Sequence, residues 1–218
     1  MPFFSSPPQS SLRLRLAVFF RWGAAAGVAF LVAYPLSSWL AARSARRFVF
    51  HGQWELSIPL VPQWILFYFS LYALLALPPF FLDAPALRQW IKALLAGVIV
   101  ASLCFVAFPA PAGFIRILPE EGCYRPLFQL MWRLDSPFNT LPSLHVSCAA
   151  STVLALLKPS GALLRGLLCL WLCLIMAATV LTHQHHVLDV ASGGALALGL
   201  HAFFSMGGAG RTPPQRVR

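Results

Sequence analysis

Long apolar runs alternate with short polar links along this chain, and the alternation repeats six times. The runs fall at about 22–42, 63–82, 87–108, 142–158, 162–182 and 185–206. Most approach the roughly 20 residues that a helix needs to cross a hydrocarbon core about 30 Å thick. The pattern predicts an all-α fold, a polytopic membrane bundle of six transmembrane helices. Pro78-Pro79 breaks the second run near its end, and Asp83 to Leu87 reads as a tight turn. Pro142-Ser143 is a helix-start signal at the head of the fourth run. Gly23 and Gly27 form a small-xxx-small pair, which reads as a seat for a neighbouring helix, and Gly193, Gly194 and Gly199 read the same way. Three parts follow: a Pro- and Ser-rich tail over 1–12 expected to be disordered, a six-span domain over 13–207, and a basic tail over 208–218.

Composition sharpens this picture. The chain of 218 residues is 59% hydrophobic and only 10% charged, against roughly 25% charged in soluble domains. Its net charge of +10 would suit nucleic acid, but the basic residues sit in the links between apolar runs. That distribution fits membrane topology and anionic lipid, so membrane lipids and no nucleic acid are the expected partners. Arg13, Arg15 and Arg21 precede the first run, which reads as an uncleaved span. Six spans with the N-terminus inside put ten of the 16 basic residues on the inner side; Arg43, Arg46, Arg47, Arg116, Arg125 and Arg133 lie outside. The localisation expected is a bacterial inner membrane with both termini cytoplasmic. Segment 43–61 is expected along the interface, with His51 an interfacial side chain. Cys104, Cys148, Cys169 and Cys173 read as small buried hydrophobes and Cys123 as a lone loop residue, so no disulfide framework is expected.

Against this apolar background two polar stretches stand out. Asn139-Thr-Leu-Pro-Ser-Leu-His145 opens the fourth run, and His183-Gln-His-His-Val-Leu-Asp189 opens the sixth. The six-span topology carries both, and the polar link 109–141, to the outer, periplasmic side. Ionisable residues at membrane depth are costly and point to function. His185 and Asp189 are four apart, so on one helix face the carboxylate would hold the imidazole in one tautomer and leave its other nitrogen free. Two histidines, one carboxylate and arginines, without an acidic cluster, suit metal-free phosphoryl transfer that needs no cofactor. His185 would attack phosphorus, Asp189 would support the imidazolium, and His145 would serve as acid and then base. Ser143 and the start of its helix, with Arg116, Arg125 and Asn139, would bind the phosphate oxygens. His183 and His186 are placed behind these groups; His201 reads as a packed histidine, and Glu120, Glu121 and Asp135 as solvated loop charges.

Pro142-Ser-Leu-His145 and His185-His-Val-Leu-Asp189 resemble the second and third signature motifs of the type 2 phosphatidic acid phosphatase superfamily. The resemblance is closest to the branch of inositol phosphorylceramide synthase and sphingomyelin synthase. It extends to the membrane domain fused to bacterial dual-specificity phosphatases, and it covers the third span to the sixth. It implies a six-helix bundle, a histidine nucleophile and a lipid phosphate or phospholipid substrate. The hydrolase form carries Ser-Arg where this chain has Ala178 and Thr179, and Leu118 stands in place of the first-motif Lys, although Arg125-Pro126 is present. Phe108-Pro-Ala-Pro with Arg116 resembles the Pro-rich first motif of the synthase-like branch, which favours Arg116 over Arg125 for phosphate. The competing class is a non-catalytic protein of the same architecture, or one that holds zinc or haem on its histidines.

Overall fold

The computed structural model describes residues 8–119 and 122–208, with side chains through 205. Among the described residues eight helices run α1 Leu12–Arg43, α2 Ile65–Leu75, α3 Pro78–Phe81, α4 Ala84–Ala107, α5 Arg125–Leu134, α6 Leu144–Leu157, α7 Ala162–Leu181 and α8 Val187–Gly208. Two 3-10 turns, Gln53–Ser57 and Pro62–Trp64, lie in the link between α1 and α2. The described residues are all-helical apart from one isolated parallel bridge, Ala110 to Asn139. Among the described residues four helices, α1, α4, α7 and α8, are long and apolar enough to cross a membrane. The apolar helices at 62–75 and 144–157 are shorter.

Several boundaries differ from the sequence expectation. Helix α1 begins at Leu12, ten residues ahead of the apolar run, because Ser11 accepts the Leu14 N–H and caps it. Residues 1–7 and 209–218, with Glu120 and Glu121, lie outside the described residues. From Pro8 the chain is tied down: Ser10 and Gln9 donate their backbone N–H groups to Asp83, at 3.0 and 2.6 Å. The second run is divided into α2 and α3 at Pro78-Pro79, where two consecutive N–H donors are missing. A further helix, α5, occupies the link that read as loop. Its Pro126 sits at the helix start, and Phe128 and Met131 bury one face.

Helix α6 is the centre of the bundle. Nine of its 14 residues are buried, against α8, α4 and α7. Small side chains permit this: Ala149, Ala150, Ser147 and Ser151 let neighbouring backbones approach. At its head a Cβ added to Gly193 of α8 would stand 2.4 Å from the Ser143 carbonyl oxygen, so glycine is required there. Trp90 of α4 donates its indole N–H to Thr152 of α6 at 3.2 Å. Helix α1 is peripheral, packing mainly on α4. Helix α7 turns Leu163, Leu167, Leu170, Cys169 and Cys173 outward. The two α7 cysteines are therefore not buried in the bundle as expected; they share its outer face. A helix apolar all round, with an exposed apolar face, is the form that suits contact with lipid.

All the links that carry suspicious residues meet at one end of the bundle. Phe48 N–H donates to Pro109 (3.0 Å), Val61 N–H to Leu181 (2.9 Å), Ala112 N–H to Pro137 (2.9 Å) and Ser143 N–H to Asp189 (3.0 Å). Four separate links are thereby joined through backbone hydrogen bonds.

Candidate active site

The turn between α7 and α8 presents the histidines. Thr179 accepts two backbone N–H groups, from Gln184 and His185, each at 3.0 Å, which folds the turn back over the end of α7. His183 takes the left-handed conformation at φ 59°, the helix-ending geometry that glycine usually supplies. That conformation directs its Nε2–H to the Ile58 carbonyl at 2.8 Å. Burial, opposed by that carbonyl, holds the His183 imidazole below its ordinary value.

Helix α8 starts at Val187, so His185 precedes it and the pair His185–Asp189 is not made by helical spacing. Asp189 sits in the first turn and its Oδ2 accepts the His186 backbone N–H at 2.8 Å. This is one half of a capping box, and it holds the carboxylate beside the preceding residue. His185 Nδ1 consequently lies 3.6 Å from Asp189 Oδ2. That is an ion-pair distance rather than a hydrogen bond, and such contacts tighten when charge develops on the imidazole.

His145, in the first turn of α6, donates Nε2–H to the Tyr68 carbonyl at 2.9 Å and stacks on the Tyr68 ring with centroids 3.9 Å apart. His186 donates Nε2–H to Ala112 at 2.5 Å, and its Nδ1 lies 3.3 Å from Glu55. A carbonyl oxygen only accepts, so His145, His183 and His186 all carry a proton on Nε2. His185 differs, because its Nε2 has no hydrogen-bond partner among the described residues. With the carboxylate behind Nδ1, Nε2 is the nitrogen left to act.

His145 and His185 line one cavity of about 630 Å³, together with Tyr34, Tyr68, Arg133, Asp135 and Asn139. The structure thus brings the two motif histidines together. Asn139 is 3% exposed, donates Nδ2–H to Ser38 and Tyr34 of α1, and leaves its Oδ1 without a partner. Ser143 does not line the cavity. It is fully buried, and its Oγ accepts the Val146 N–H at 3.2 Å as the cap of α6. Arg116 lies behind the wall, over the Trp132 ring and against the carbonyls of Trp132 and Asp135. Burial lowers its pKa against the opposing influence of Asp135, Tyr34 and Tyr68. Arg125 reaches the Pro119 carbonyl at 3.4 Å and does not line the cavity.

Three groups at the site were not singled out from the sequence. Arg133 is the cation that lines the cavity; the signal for it was the apolar spacing of Leu127, Phe128 and Met131, which marks α5 as a helix. Asp135 read as a solvated loop charge, yet it accepts hydrogen bonds from Tyr34 and, at 3.4 Å, from Tyr68. Glu55 read as part of an interfacial segment, yet it is 4% exposed and accepts the N–H groups of Val187 (2.8 Å) and Gly52 (2.9 Å). Burial works to raise the Glu55 carboxyl; those two N–H groups and His186 outweigh it, and the net direction is down. His51 stacks on His186 with centroids 4.3 Å apart, and Phe114 stacks on both His186 and His183. Nothing local in the sequence marks those encounters.

Among the described residues no three His, Cys, Asp or Glu side chains converge as a metal-binding group. Comparison with known proteins yields no match to a family model, a curated protein or a solved structure.

Proposed function

We propose that this chain is an integral membrane lipid phosphatase or phosphotransferase, working through a phosphohistidine and related to the type 2 phosphatidic acid phosphatase superfamily. The observation that carries the reading is His185. Its Nε2 has no hydrogen-bond partner among the described residues, whereas Nε2 of His145, His183 and His186 each meets a carbonyl; it belongs to a cavity-lining side chain, and a carboxylate lies near its Nδ1. In the first step Nε2 attacks phosphorus and a P–N bond forms as the P–O ester bond breaks. His145 enters this step as the imidazolium: its Nδ1 gives a proton to the leaving oxygen, and Nε2–H stays on the Tyr68 carbonyl. In the second step His145 removes a proton from water or an alcohol, whose oxygen attacks phosphorus, and the P–N electron pair returns to His185. Arg133 offers cationic support to the non-bridging oxygens. No step calls for a metal or cofactor.

The membrane placement belongs to the same proposal. Six passes, both termini cytoplasmic and the histidines toward the periplasm agree with the excess of basic residues on the inner side. Helix α6 spans only about 21 Å at 1.5 Å per residue. It is enclosed by other helices, so it need not match the lipid thickness. Helices α2 and α3 with their preceding turn make the second pass jointly.

The test is purified protein incubated with radiolabelled lipid phosphates and phospholipids, following free phosphate, new lipid and protein-bound label together. Acid-labile, base-stable label is expected on the wild type. On an aryl phosphate, whose leaving group needs little protonation, His145→Ala should accumulate that label, since only its second step lacks a base. If His145→Ala never takes up label while His185→Ala does, the nucleophile and the acid are exchanged.

A further inference from the structure

The cavity extends well beyond the histidines as an apolar groove. Its sides come from α1 and α2, which do not pack closely on each other, and α4 forms its floor. On α1 the lining runs from Pro35 at the polar end to Phe19, about 24 Å along the axis at 1.5 Å per residue. Polar groups gather at one end only, where His145, His185, Asp135, Asn139 and Arg133 stand. Gly23 and Gly27 face the groove, and a Cβ added at either would meet nothing within 4 Å. Their spacing therefore does not seat a neighbouring helix, as the sequence suggests; it leaves a channel open.

We propose that this groove holds one acyl chain of the lipid whose phosphate reaches His185, and that Gly23 and Gly27 set the chain length accepted. The head-group end of this proposal rests on the phosphoryl-transfer reading above; the chain end does not. The lining matches an acyl chain joined to a head group: apolar side chains run along its length and polar groups stand at one end only. Apolar walls disfavour a column of water. At the polar end Arg133 has no hydrogen-bond or ion-pair partner among the described residues and offers a cation to an anionic head group, while the Asp135 carboxylate beside it is engaged by the Tyr34 and Tyr68 hydroxyls. Asn139 supplies an independent sign of a ligand: its Oδ1 is buried in the cavity wall and lacks a donor. A hydroxyl or amide N–H close to a lipid head group would satisfy it.

The groove also works as a ruler. Gly27 lies about 10 Å and Gly23 about 16 Å along the helix from Tyr34. Leucine at either position enters open space and suits a helix better than glycine, so the fold should tolerate it. With lipid phosphates of increasing chain length, Gly27→Leu should lower kcat/KM at least tenfold on long chains and less than twofold on the shortest chain or an aryl phosphate. Gly23→Leu should impose its loss only on still longer chains. Equal losses at every length, or none, would overturn the proposal.

A second measurement needs no turnover. Phosphatidic acid carrying a photoreactive group at its chain terminus is bound to the full-length protein in lipid nanodiscs, cross-linked and mapped. Adducts should centre on Phe19 and Trp90 and disappear in Gly27→Leu. Adducts spread equally over outward α7 residues such as Leu167 and Leu170 would remove the groove while leaving the chemistry intact. Adducts in the groove of a protein that turns over no phosphate ester would do the reverse.

Discussion

His185 and His186 are adjacent, almost equally buried at 4% and 3% exposed, and each has a carboxylate near Nδ1, at 3.6 and 3.3 Å. Their surroundings otherwise differ in every respect. The His186 ring lies between those of His51 and Phe114, its Nε2 is committed to Ala112, and its carboxylate comes from a link 131 positions away, where Glu55 also caps the start of α8. His185 lines the cavity, has no hydrogen-bond partner on Nε2 among the described residues, and has a carboxylate held by the turn it belongs to. An imidazole beside a carboxylate is thus not in itself a catalytic unit. What the second nitrogen meets separates the two: a carbonyl makes the ring of His186 a staple between loops, and a nitrogen without a partner leaves His185 able to take the role proposed for it.

The contrast breaks most sharply on His185→Ala. Removing the attacking nitrogen should abolish protein-bound label and lower turnover by about 10³-fold or more, with the thermal midpoint nearly unchanged. Asp189→Asn keeps the nucleophile but withdraws support for the imidazolium, and should slow both steps by on the order of 10²-fold. A labelled, active His185→Ala protein would end the distinction drawn between the neighbours.

His186→Ala should give the opposite phenotype. It leaves Glu55 buried without its imidazole neighbour and cuts the tie between the turn and Ala112, at a cost of about 1–3 kcal/mol of stability. Label per folded molecule should stay within a few-fold of wild type. The check is denaturant unfolding alongside active-site labelling; loss of labelling in a fully folded His186→Ala protein would make the two histidines functional equals.

A smaller effect follows from Glu55 and sharpens the same contrast. Its folded pKa is depressed below an unfolded value of about 4.3. The stability it contributes is complete above that value and is lost as pH falls through the folded pKa. Wild type should therefore lose more stability below about pH 4.3 than Glu55→Gln does, and the two melting curves should converge there. Identical acid slopes for the two proteins would show that the carboxylate does not secure the α8 start.

How much of this was legible in the chain depends on distance along it. Apolar run lengths and the scarcity of charge already mark a helical membrane-type chain, because those properties are local and a helix satisfies its own backbone. The two polar stretches and the meeting of the motifs at one end are also within reach of run length and alternation, whereas the nearness of His185 to Asp189 comes from the capping turn before α8 and not from the helical spacing that suggested it. Tertiary structure alone decided which nitrogen is free, since Ile58, Tyr68 and Ala112 supply carbonyls from three remote links. It also decided that Arg133 lines the cavity while Arg116 braces its wall, that Ser143 caps a helix, and that Gly23 and Gly27 border a groove. Periodicity says which side chains share a face of one helix. It does not say whether another helix, a lipid or a cavity lies opposite, because that is settled by packing between segments far apart in the chain.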